Sequence, residues 1–124
     1  MTLPAAARAI PSALNGGVDP IARRMPPMAV VHHFGRRSGK AYGNPVMALR
    51  NGSGWVVALP YGADVNWVRN VLHAQRADLT WRNVEHRDLV AALIPIETGR
   101  DLLPGWFRPF ARMLGLRHLL TLQP

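Results

Sequence analysis

Residues 28–49 read MAVVHHFGRRSGKAYGNPVMAL, and this stretch decides the fold. Residues 28–34 and 42–49 are short, mainly apolar runs, which is typical of strands. Between them lies the loop Gly35-Arg36-Arg37-Ser38-Gly39-Lys40. Its two glycines allow backbone conformations that a Cβ would penalise. The sequence therefore predicts a hairpin with a wide, cationic tip.

The loop at residues 35–40 carries three cations, one hydroxyl and several backbone N–H groups without an obvious partner in a sheet. Guanidinium groups bind phosphate or carboxylate bidentately, and adjacent N–H groups can line a concave anion site. The combination predicts an anion-binding loop. The alternative interpretation is a solvated basic hairpin tip, because most charge clusters are solvated.

The β pattern continues after this hairpin. Asn51-Gly52 is a favoured hairpin-turn dipeptide, and residues 55–59 form an apolar run that predicts a central strand covered on both faces. Asp64 is a candidate N-cap for a helix with Val65, Val68, Val71 and Leu72 on one stripe. Further strands are predicted at 78–82, 86–96 and 116–122, with short helical pieces within 101–114 that Pro104 and Pro109 interrupt.

This order of elements predicts a mainly β protein of the α+β class. Three consecutive strands form a meander, and one well-formed helix follows the third strand. The later connections are too short for repeated right-handed crossovers, which excludes a parallel α/β sheet. We therefore expect a small antiparallel barrel that carries helices.

The predicted domain organisation is an N-terminal arm at residues 1–27 followed by a single barrel domain at residues 28–124. Residues 3–14 are rich in alanine and predict a short helix, which Asn15-Gly16-Gly17 ends. The arm could cover a site, touch a membrane or be a loose terminus.

The amino-acid composition limits which binding partners and which catalytic groups this protein can have. Of 124 residues, 15 are basic and 7 acidic, so the net charge is +8, which favours a polyanion such as nucleic acid, an acidic membrane surface or a multiply charged cofactor. A biased codon composition would also explain the excess of arginine. The absence of cysteine excludes disulfides, thiolate metal sites and a cysteine nucleophile. No apolar run of about 18 residues and no signal peptide are found, so we expect a cytoplasmic protein.

Familiar catalytic motifs are absent from the sequence. There is no phosphate-binding loop of the Walker type, no dinucleotide fingerprint, no zinc-protease motif and no serine-hydrolase elbow. His32 and His33 are adjacent in a strand and point to opposite faces, so no metal site is expected. An enzyme of this kind would depend on a bound cofactor for its reactivity.

A second candidate site spans residues 58–67, ALPYGADVNW, where a strand end and a glycine turn lead into a helix. The positive end of the helix and its free N–H groups attract anions. Trp67 could pack on a planar ring, and Asn66 could bond to ring edges. The alternative is that Trp67 belongs to the core and Asp64 is only a cap.

Taken together, these motifs resemble those of the deazaflavin-dependent nitroreductase and quinone reductase family. The resemblance rests on Gly35-Arg36-Arg37-Ser38-Gly39-Lys40, Asn44-Pro45-Val46, Ala58-Leu59-Pro60-Tyr61-Gly62 and Asn66-Trp67-Val68-Arg69-Asn70. It implies a split β-barrel of the FMN-binding type and the use of coenzyme F420. It further implies hydride transfer from the reduced cofactor to a quinone or nitro-type acceptor, with no catalytic side chain.

The resemblance also implies the cofactor-binding residues. Loop residues Arg36, Arg37, Ser38, Gly39 and Lys40 would hold the phosphate and the acidic tail, and Asn44 belongs to the same signature. Ala58, Tyr61 and Gly62 would line the ring or the phosphate, and Asn66, Trp67 and Asn70 would fix the cofactor from the helix.

Two departures concern the acceptor side of the site. Residues 103–122 contain Trp106, Phe107 and Phe110 but no tyrosine, whereas nitroimidazole-reducing members carry a tyrosine-rich segment there. Pro60-Tyr61-Gly62 stands where a Ser-Lys-Gly turn is often found.

Several alternatives stay open at the level of sequence. FMN is the alternative cofactor, and a flavin- or tetrapyrrole-binding barrel without turnover would use the same loop. A basic nucleic-acid-binding barrel could stack bases on Trp55, Trp67 and Trp81. We favour a small-molecule acceptor and no nucleic acid. A homodimer and a peripheral contact with the inner face of the membrane are further possible associations.

Overall fold

The computed structural model describes residues 28–124, and the expected arm at residues 1–27 lies outside the described residues. Six antiparallel strands close into a barrel in the order β1-β2-β3-β6-β5-β4. The strands are β1 (Met28–Phe34), β2 (Ala41–Asn51), β3 (Gly54–Ala58), β4 (Arg76–Trp81), β5 (Val84–Pro95) and β6 (His118–Gln123). The prediction of a mainly β split barrel is confirmed.

Tight turns set the register of two hairpins. In β2–β3, Asn51 pairs with Gly54 across a two-residue turn. A turn is present where the Asn51-Gly52 dipeptide predicts one, and its central residues are Gly52 and Ser53. Gly52 has a φ of 59°, which suits the first central position of a type II′ turn. In β4–β5, Trp81 pairs with Val84 across Arg82 and Asn83, both of which have positive φ.

The last strand closes the barrel. β6 pairs with β3 through Leu122 and Trp55 on one side, and with β5 through Leu122 and Ala91 on the other. Since β3 thereby has hydrogen-bonded neighbours at both edges, its backbone polar groups are satisfied within the sheet. This confirms the expectation that residues 55–59 form a central strand.

Alternate residues of β3 enter two separate apolar clusters. Trp55 and Val57 point into the barrel interior, together with Val31, Leu79 and Leu120. The outer cluster contains residues of β2 and β3, of the segment between β5 and β6, and of β6 itself: Leu49, Val56, Ala58, Ile96, Leu103, Phe107, Ala111, Leu116 and Leu119. All five residues of β3 are buried as a result.

One helix, α1 (Asn66–Ala74), packs on the barrel. Its Val68 and Val71 belong to the interior cluster, as the helical spacing of the apolar residues predicts. The expected N-cap at Asp64 is wrong, because the N-cap position is Val65 and no side chain caps the helix. The Asp64 carboxylate instead forms an ion pair with Arg69.

Two shorter helices lie between β5 and β6: α2 (Ile96–Gly99) and α3 (Arg108–Leu114). A 3-10 turn, Arg100–Leu102, follows α2 directly. Gly115 ends α3 with a φ of 64°, which is the left-handed C-cap that glycine favours. The short helical pieces expected near the C-terminus are confirmed. Within residues 28–124 no helix has the length and apolarity needed to span a membrane.

We predict that Gly54→Ala destabilises the fold by about 1–3 kcal/mol, because a Cβ at this position would collide with the backbone oxygen of Leu122 in the strand that closes the barrel. Urea unfolding measures the loss. Ser53→Ala, one residue earlier in the exposed turn, is the matched control and should change the free energy of unfolding by less than about 0.5 kcal/mol. Equal stability of the two variants would contradict the prediction.

Candidate functional site

A cavity of about 490 Å³ lies where the β1–β2 hairpin meets α1. His33 pairs with Tyr42, and Val31 pairs with Asn44. Alternation along each strand places His33, Tyr42 and Asn44 on the same face as the interior residues Val31 and Val46. The cavity therefore continues the interior face of the barrel beyond its apolar core. Its lining comprises His33, Gly35, Arg36, Arg37, Ser38, Tyr42, Asn44, Asn66, Trp67 and Asn70.

Asn70 joins the cationic loop to the helix. Its Oδ1 accepts hydrogen bonds from the Arg36 backbone N–H at 3.1 Å and from Arg36 Nη1 at 2.8 Å. Arg36 Nη2 also donates to Asn66 Oδ1, at 3.4 Å. Because Asn70 is buried and the guanidinium is charged, the bond from Nη1 is of the stronger kind. Arg36 is thus held by the protein and orients the loop.

His33 continues this network towards β2. Its Nε2 lies 2.7 Å from Asn44 Oδ1, and its Nδ1 lies 3.3 Å from Asn70 Nδ2. Asn70 Oδ1 already accepts from Arg36, so the Asn70 amide nitrogen donates to Nδ1 and the His33 proton lies on Nε2. Burial lowers the pKa of His33, and the hydrogen bond to Asn44 opposes that shift only in part. The ring is therefore neutral at pH 7.

Aromatic side chains flank His33 in the cavity. The Tyr42 ring stacks on it with centroids 5.7 Å apart, and the Trp67 ring lies 6.4 Å away. Flat π-surfaces of this kind pack well against a planar conjugated ligand. One wall of the cavity is therefore suited to a ring system.

The loop at residues 35–40 uses most of its own backbone donors. Gly35 N–H donates to the Lys40 carbonyl at 2.8 Å, and Gly39 N–H donates to the Gly35 carbonyl at 2.9 Å. Lys40 N–H donates to Ser38 Oγ at 3.2 Å. The expected nest of several free N–H groups is therefore wrong. Within residues 28–124, only Arg37 and Ser38 of this loop have backbone N–H groups without a hydrogen-bond acceptor.

The structure brings seven of the twelve predicted site residues together in the cavity lining. They are Arg36, Arg37, Ser38, Asn44, Asn66, Trp67 and Asn70. Their role in binding a cofactor stays a prediction.

Five predicted residues lie outside the lining. Ala58 is 2% exposed and belongs to the outer cluster beneath α3, so the expectation that it lines a ligand ring is wrong. Tyr61 is 88% exposed, because it lies in the loop after β3 and has no partner in the core. Gly62 stabilises the same loop by donating to Leu59. Gly39 and Lys40 are exposed and do not line the cavity.

His33, Gly35 and Tyr42 line the cavity and were missed as site residues. The alternation of side chains along β1 and β2 could have identified them, because it places His33 and Tyr42 on the same face as the predicted core residues. Polar or amphipathic side chains at the end of an interior stripe mark the mouth of a barrel. The sequence could not say which end of the barrel stays open.

The two adjacent histidines face opposite sides of β1. His32 Nε2 hydrogen bonds with Thr80 Oγ1 at 2.8 Å, whereas His33 faces the cavity. Among residues 28–124 no group of three or more histidines and carboxylates is placed to hold a metal ion.

No protein-family model and no curated protein sequence matches the chain. Solved structures do match it in fold. One is described as an F420-H2 dependent reductase (FDR-A), with a TM-score of 0.63 and 18% identity over 78% of this chain and 94% of the other. Another, described as a domain-swapped dimer, has a TM-score of 0.65 and 17% identity over 94% of this chain and 92% of the other. The chain therefore shares its split-barrel fold with both.

We predict that Asn70→Ala loosens the cationic loop and lowers the free energy of unfolding by about 1.5–3 kcal/mol, because Arg36 loses a charge-assisted bond from its guanidinium and a second bond from its backbone N–H. Amide hydrogen exchange should become faster at Arg36. Asn66→Ala is the matched control, since its single contact is long and exposed. Unchanged exchange at Arg36 in Asn70→Ala would contradict the role assigned to this asparagine.

The lowered pKa of His33 predicts a loss of stability in acid. The unfolded chain takes up a proton at His33 near pH 6.5 while the folded ring stays neutral, so stability falls as pH drops below about 7, by at most about 1.4 kcal/mol per pH unit. His33→Gln should flatten the dependence measured by urea unfolding. His73→Gln, at an exposed histidine of α1, should not. His86 acts in the same direction and remains in both variants.

Proposed function

We propose that this protein is a deazaflavin-dependent oxidoreductase that uses coenzyme F420. The observation that carries the proposal is the cavity, which places a cationic loop beside a wall of aromatic rings. The fold shared with an F420-H2 dependent reductase and the motif resemblance support the same cofactor.

The cavity fits such a ligand in size and in chemistry. A volume of about 490 Å³ lies within the usual range for small-molecule and cofactor sites. Arg37 is exposed at the rim and forms no ion pair with any carboxylate in residues 28–124. A free guanidinium beside the N–H groups of Arg37 and Ser38 is suited to phosphate or carboxylate oxygens.

In this proposal the cationic loop and the aromatic wall of the cavity bind different parts of the cofactor. Arg37 and Ser38 would bind the phosphate and the acidic tail, while Arg36 keeps the loop in place through Asn70. Tyr42 and Trp67 would pack on the conjugated ring. His33 stays neutral, so it adds no further charge next to Arg36 and limits repulsion between cations in the cavity.

The chemistry would be that of the bound cofactor, which supplies a hydride in its reduced form. The protein contributes binding, orientation and exclusion of water. This division of labour suits a cavity lined by no carboxylate and by one buried, hydrogen-bonded histidine.

The acceptor in this proposal is a quinone or a nitro-type organic compound. Trp106 and Phe110 do not line the cavity, because the segment that carries them packs on the outside of the barrel through Leu103 and Phe107. Within residues 28–124, the C-terminal segment therefore offers no counterpart near the cavity to the tyrosine-rich segment of nitroimidazole-reducing proteins. We favour a quinone for this reason.

The alternatives differ in their consequences. A barrel that binds FMN or a tetrapyrrole without turnover would use the same cavity, and only an assay of turnover separates it from the proposal. Two of the three tryptophans expected to stack on nucleic-acid bases are not free to do so. Trp55 is 1% exposed inside the barrel, and Arg50 and Arg82 lie over the Trp81 ring. Trp67 lines the cavity, where it can contact one planar ring.

Three further expectations stay predictions. They are the division into an arm at residues 1–27 and a domain at 28–124, the cytoplasmic location, and a homodimer. A solved structure of similar fold is described as a domain-swapped dimer, and it supports testing the oligomeric state of this chain.

We predict that Arg37→Ala weakens coenzyme F420 binding by about 10- to 150-fold, the loss of an ionised hydrogen bond of about 1.5–3 kcal/mol. A fluorescence titration with F420, run beside FMN, measures it. Lys40→Ala should have a smaller effect, because Lys40 lies outside the cavity lining. Arg87→Ala is the matched control, since this exposed arginine of β5 pairs only with Glu85.

Oxidation of reduced F420 by a quinone and by a nitroaromatic compound then tests turnover. Binding without oxidation of the cofactor would favour the silent barrel, and a preference for FMN would change the cofactor. Equal affinities of Arg37→Ala and Arg87→Ala would overturn the site assignment.

A further inference from the structure

The outer side of the barrel carries a second surface with unusual chemistry. Four large apolar side chains are exposed on and beside α3: Trp106 (58%), Phe110 (48%), Met113 (73%) and Leu114 (42%). We call them the α3 apolar patch. None of them lines the cofactor cavity. Apolar side chains clustered on a surface indicate contact with another molecule.

A second cavity of about 230 Å³ adjoins this patch. Its walls combine three arginines with apolar groups, and its lining comprises Ile96, Arg100, Arg108, Ala111, Arg112, Gly115 and Leu116. No carboxylate lines it. Since arginine binds phosphate more readily than other side chains do, this arginine cavity is suited to a phosphate group.

Its arginines are available to a ligand to different degrees. Arg108 donates to the carbonyls of Leu103 and Asp101, at 3.2 and 3.5 Å, which fixes one wall. Arg100 and Arg112 form no ion pair within residues 28–124. Glu97 and Asp101 lie in the same segment but outside the cavity lining.

Helical spacing places the apolar side chains and the arginines of α3 on neighbouring sides of the helix. Phe110, Met113 and Leu114 recur at intervals of three and four residues and share one side of α3. Arg108 and Arg112, four residues apart, lie on the other side. Phe107 and Ala111 bury the stripe between them in the outer cluster. The exposed part of α3 therefore presents apolar groups along one side and cations along the other.

We propose that the α3 apolar patch and the arginine cavity together dock this protein on an anionic lipid bilayer. A lipid phosphate would enter the arginine cavity while the apolar side chains insert between the acyl chains. Amphipathic helices with basic and aromatic side chains bind membrane interfaces in this way. The net charge of +8 adds attraction to the same surface.

A second copy of this chain is a poorer occupant of the surface. In a two-fold dimer the same surface meets itself, so the contact would gather the arginine cavities of both copies, whose linings contain no carboxylate. Like charges at such a contact oppose association. The proposal does not depend on the proposed redox function, and its test requires neither cofactor nor turnover.

Co-sedimentation of the full chain with vesicles tests the proposal. The protein should bind vesicles of phosphatidylcholine that contain about 30% of the anionic lipid phosphatidylglycerol. It should bind vesicles of phosphatidylcholine alone much more weakly. Arg100→Ala combined with Arg112→Ala should weaken binding about 25-fold, because each arginine near the membrane surface contributes a factor of about five to the affinity. Phe110→Ser combined with Met113→Ser should also weaken it, although the net charge is unchanged.

The matched control is Arg76→Ala combined with Arg87→Ala, two exposed arginines of β4 and β5 that pair with Asp88 and Glu85. It removes the same charge elsewhere on the barrel. An equal loss in both arginine pairs would mean attraction by net charge alone and would overturn the proposal. Full binding by Phe110→Ser/Met113→Ser would overturn it too, because residues outside the patch would then hold the vesicle.

Two other outcomes would assign the surface to a different occupant. A dimer, detected by sedimentation velocity and lost in Phe110→Ser/Met113→Ser, would assign it to a second copy of the chain. Thermal stabilisation by inorganic phosphate, abolished in Arg100→Ala/Arg112→Ala and accompanied by no vesicle binding, would assign the arginine cavity to a free anion. Either result would overturn docking on a bilayer.

Discussion

The insertion of β6 between β3 and β5 is the constraint on which the rest of the structure depends. It gives β3 a hydrogen-bonded neighbour at each edge, so the backbone polar groups of this strand need no water. Both faces of β3 can then be apolar, and each organises a separate cluster. Trp55 and Val57 help to fill the barrel, while Val56 and Ala58 carry the segment that contains α3.

These two clusters position the two polar surfaces of the molecule. The interior cluster holds α1 through Val68 and Val71, and α1 in turn holds the cationic loop through Asn70. The outer cluster holds α3 through Phe107 and Ala111, and α3 forms the edge of the arginine cavity. Arginines are thus gathered at two separate sites, and each site lies beside aromatic or apolar side chains. A site that combines arginines with aromatic or apolar side chains suits an amphiphilic anion better than a site with polar groups alone.

One neutral residue, His33, limits the positive charge within the cavity between the β1–β2 hairpin and α1. Burial lowers the pKa of His33 and keeps its ring neutral. The two hydrogen bonds to Asn44 and Asn70 fix which ring nitrogen carries the single proton. Asn70 can then donate to His33 and accept from Arg36 at the same time. A protonated ring would repel Arg36 and would remove the acceptor that Asn70 uses. The position of the cationic loop is therefore linked to a histidine that the loop itself does not contain.

Local sequence determined the elements of this protein. Short apolar runs, turn residues such as Gly52, and the helical spacing of Val68 and Val71 predicted six strands, the barrel and α1, because these signals act between residues a few positions apart. The motif of residues 35–40 also predicted where cations would gather. The composition of a loop is visible in sequence whatever the loop packs against.

Tertiary structure alone decided which side of each strand faces the cavity and which residues meet there. Alternation distinguishes two faces of β3 but does not say which one faces inward. Ala58, which the family resemblance assigned to the site, lies in the outer cluster under α3. Asn70 and Arg36 are separated by 34 positions, and their contact exists only because α1 docks against β1. Tyr61 follows a strand end that suggested a binding turn, yet it points to solvent. Burial and contact depend on how elements pack, and packing joins residues whose separation in sequence carries no local signal.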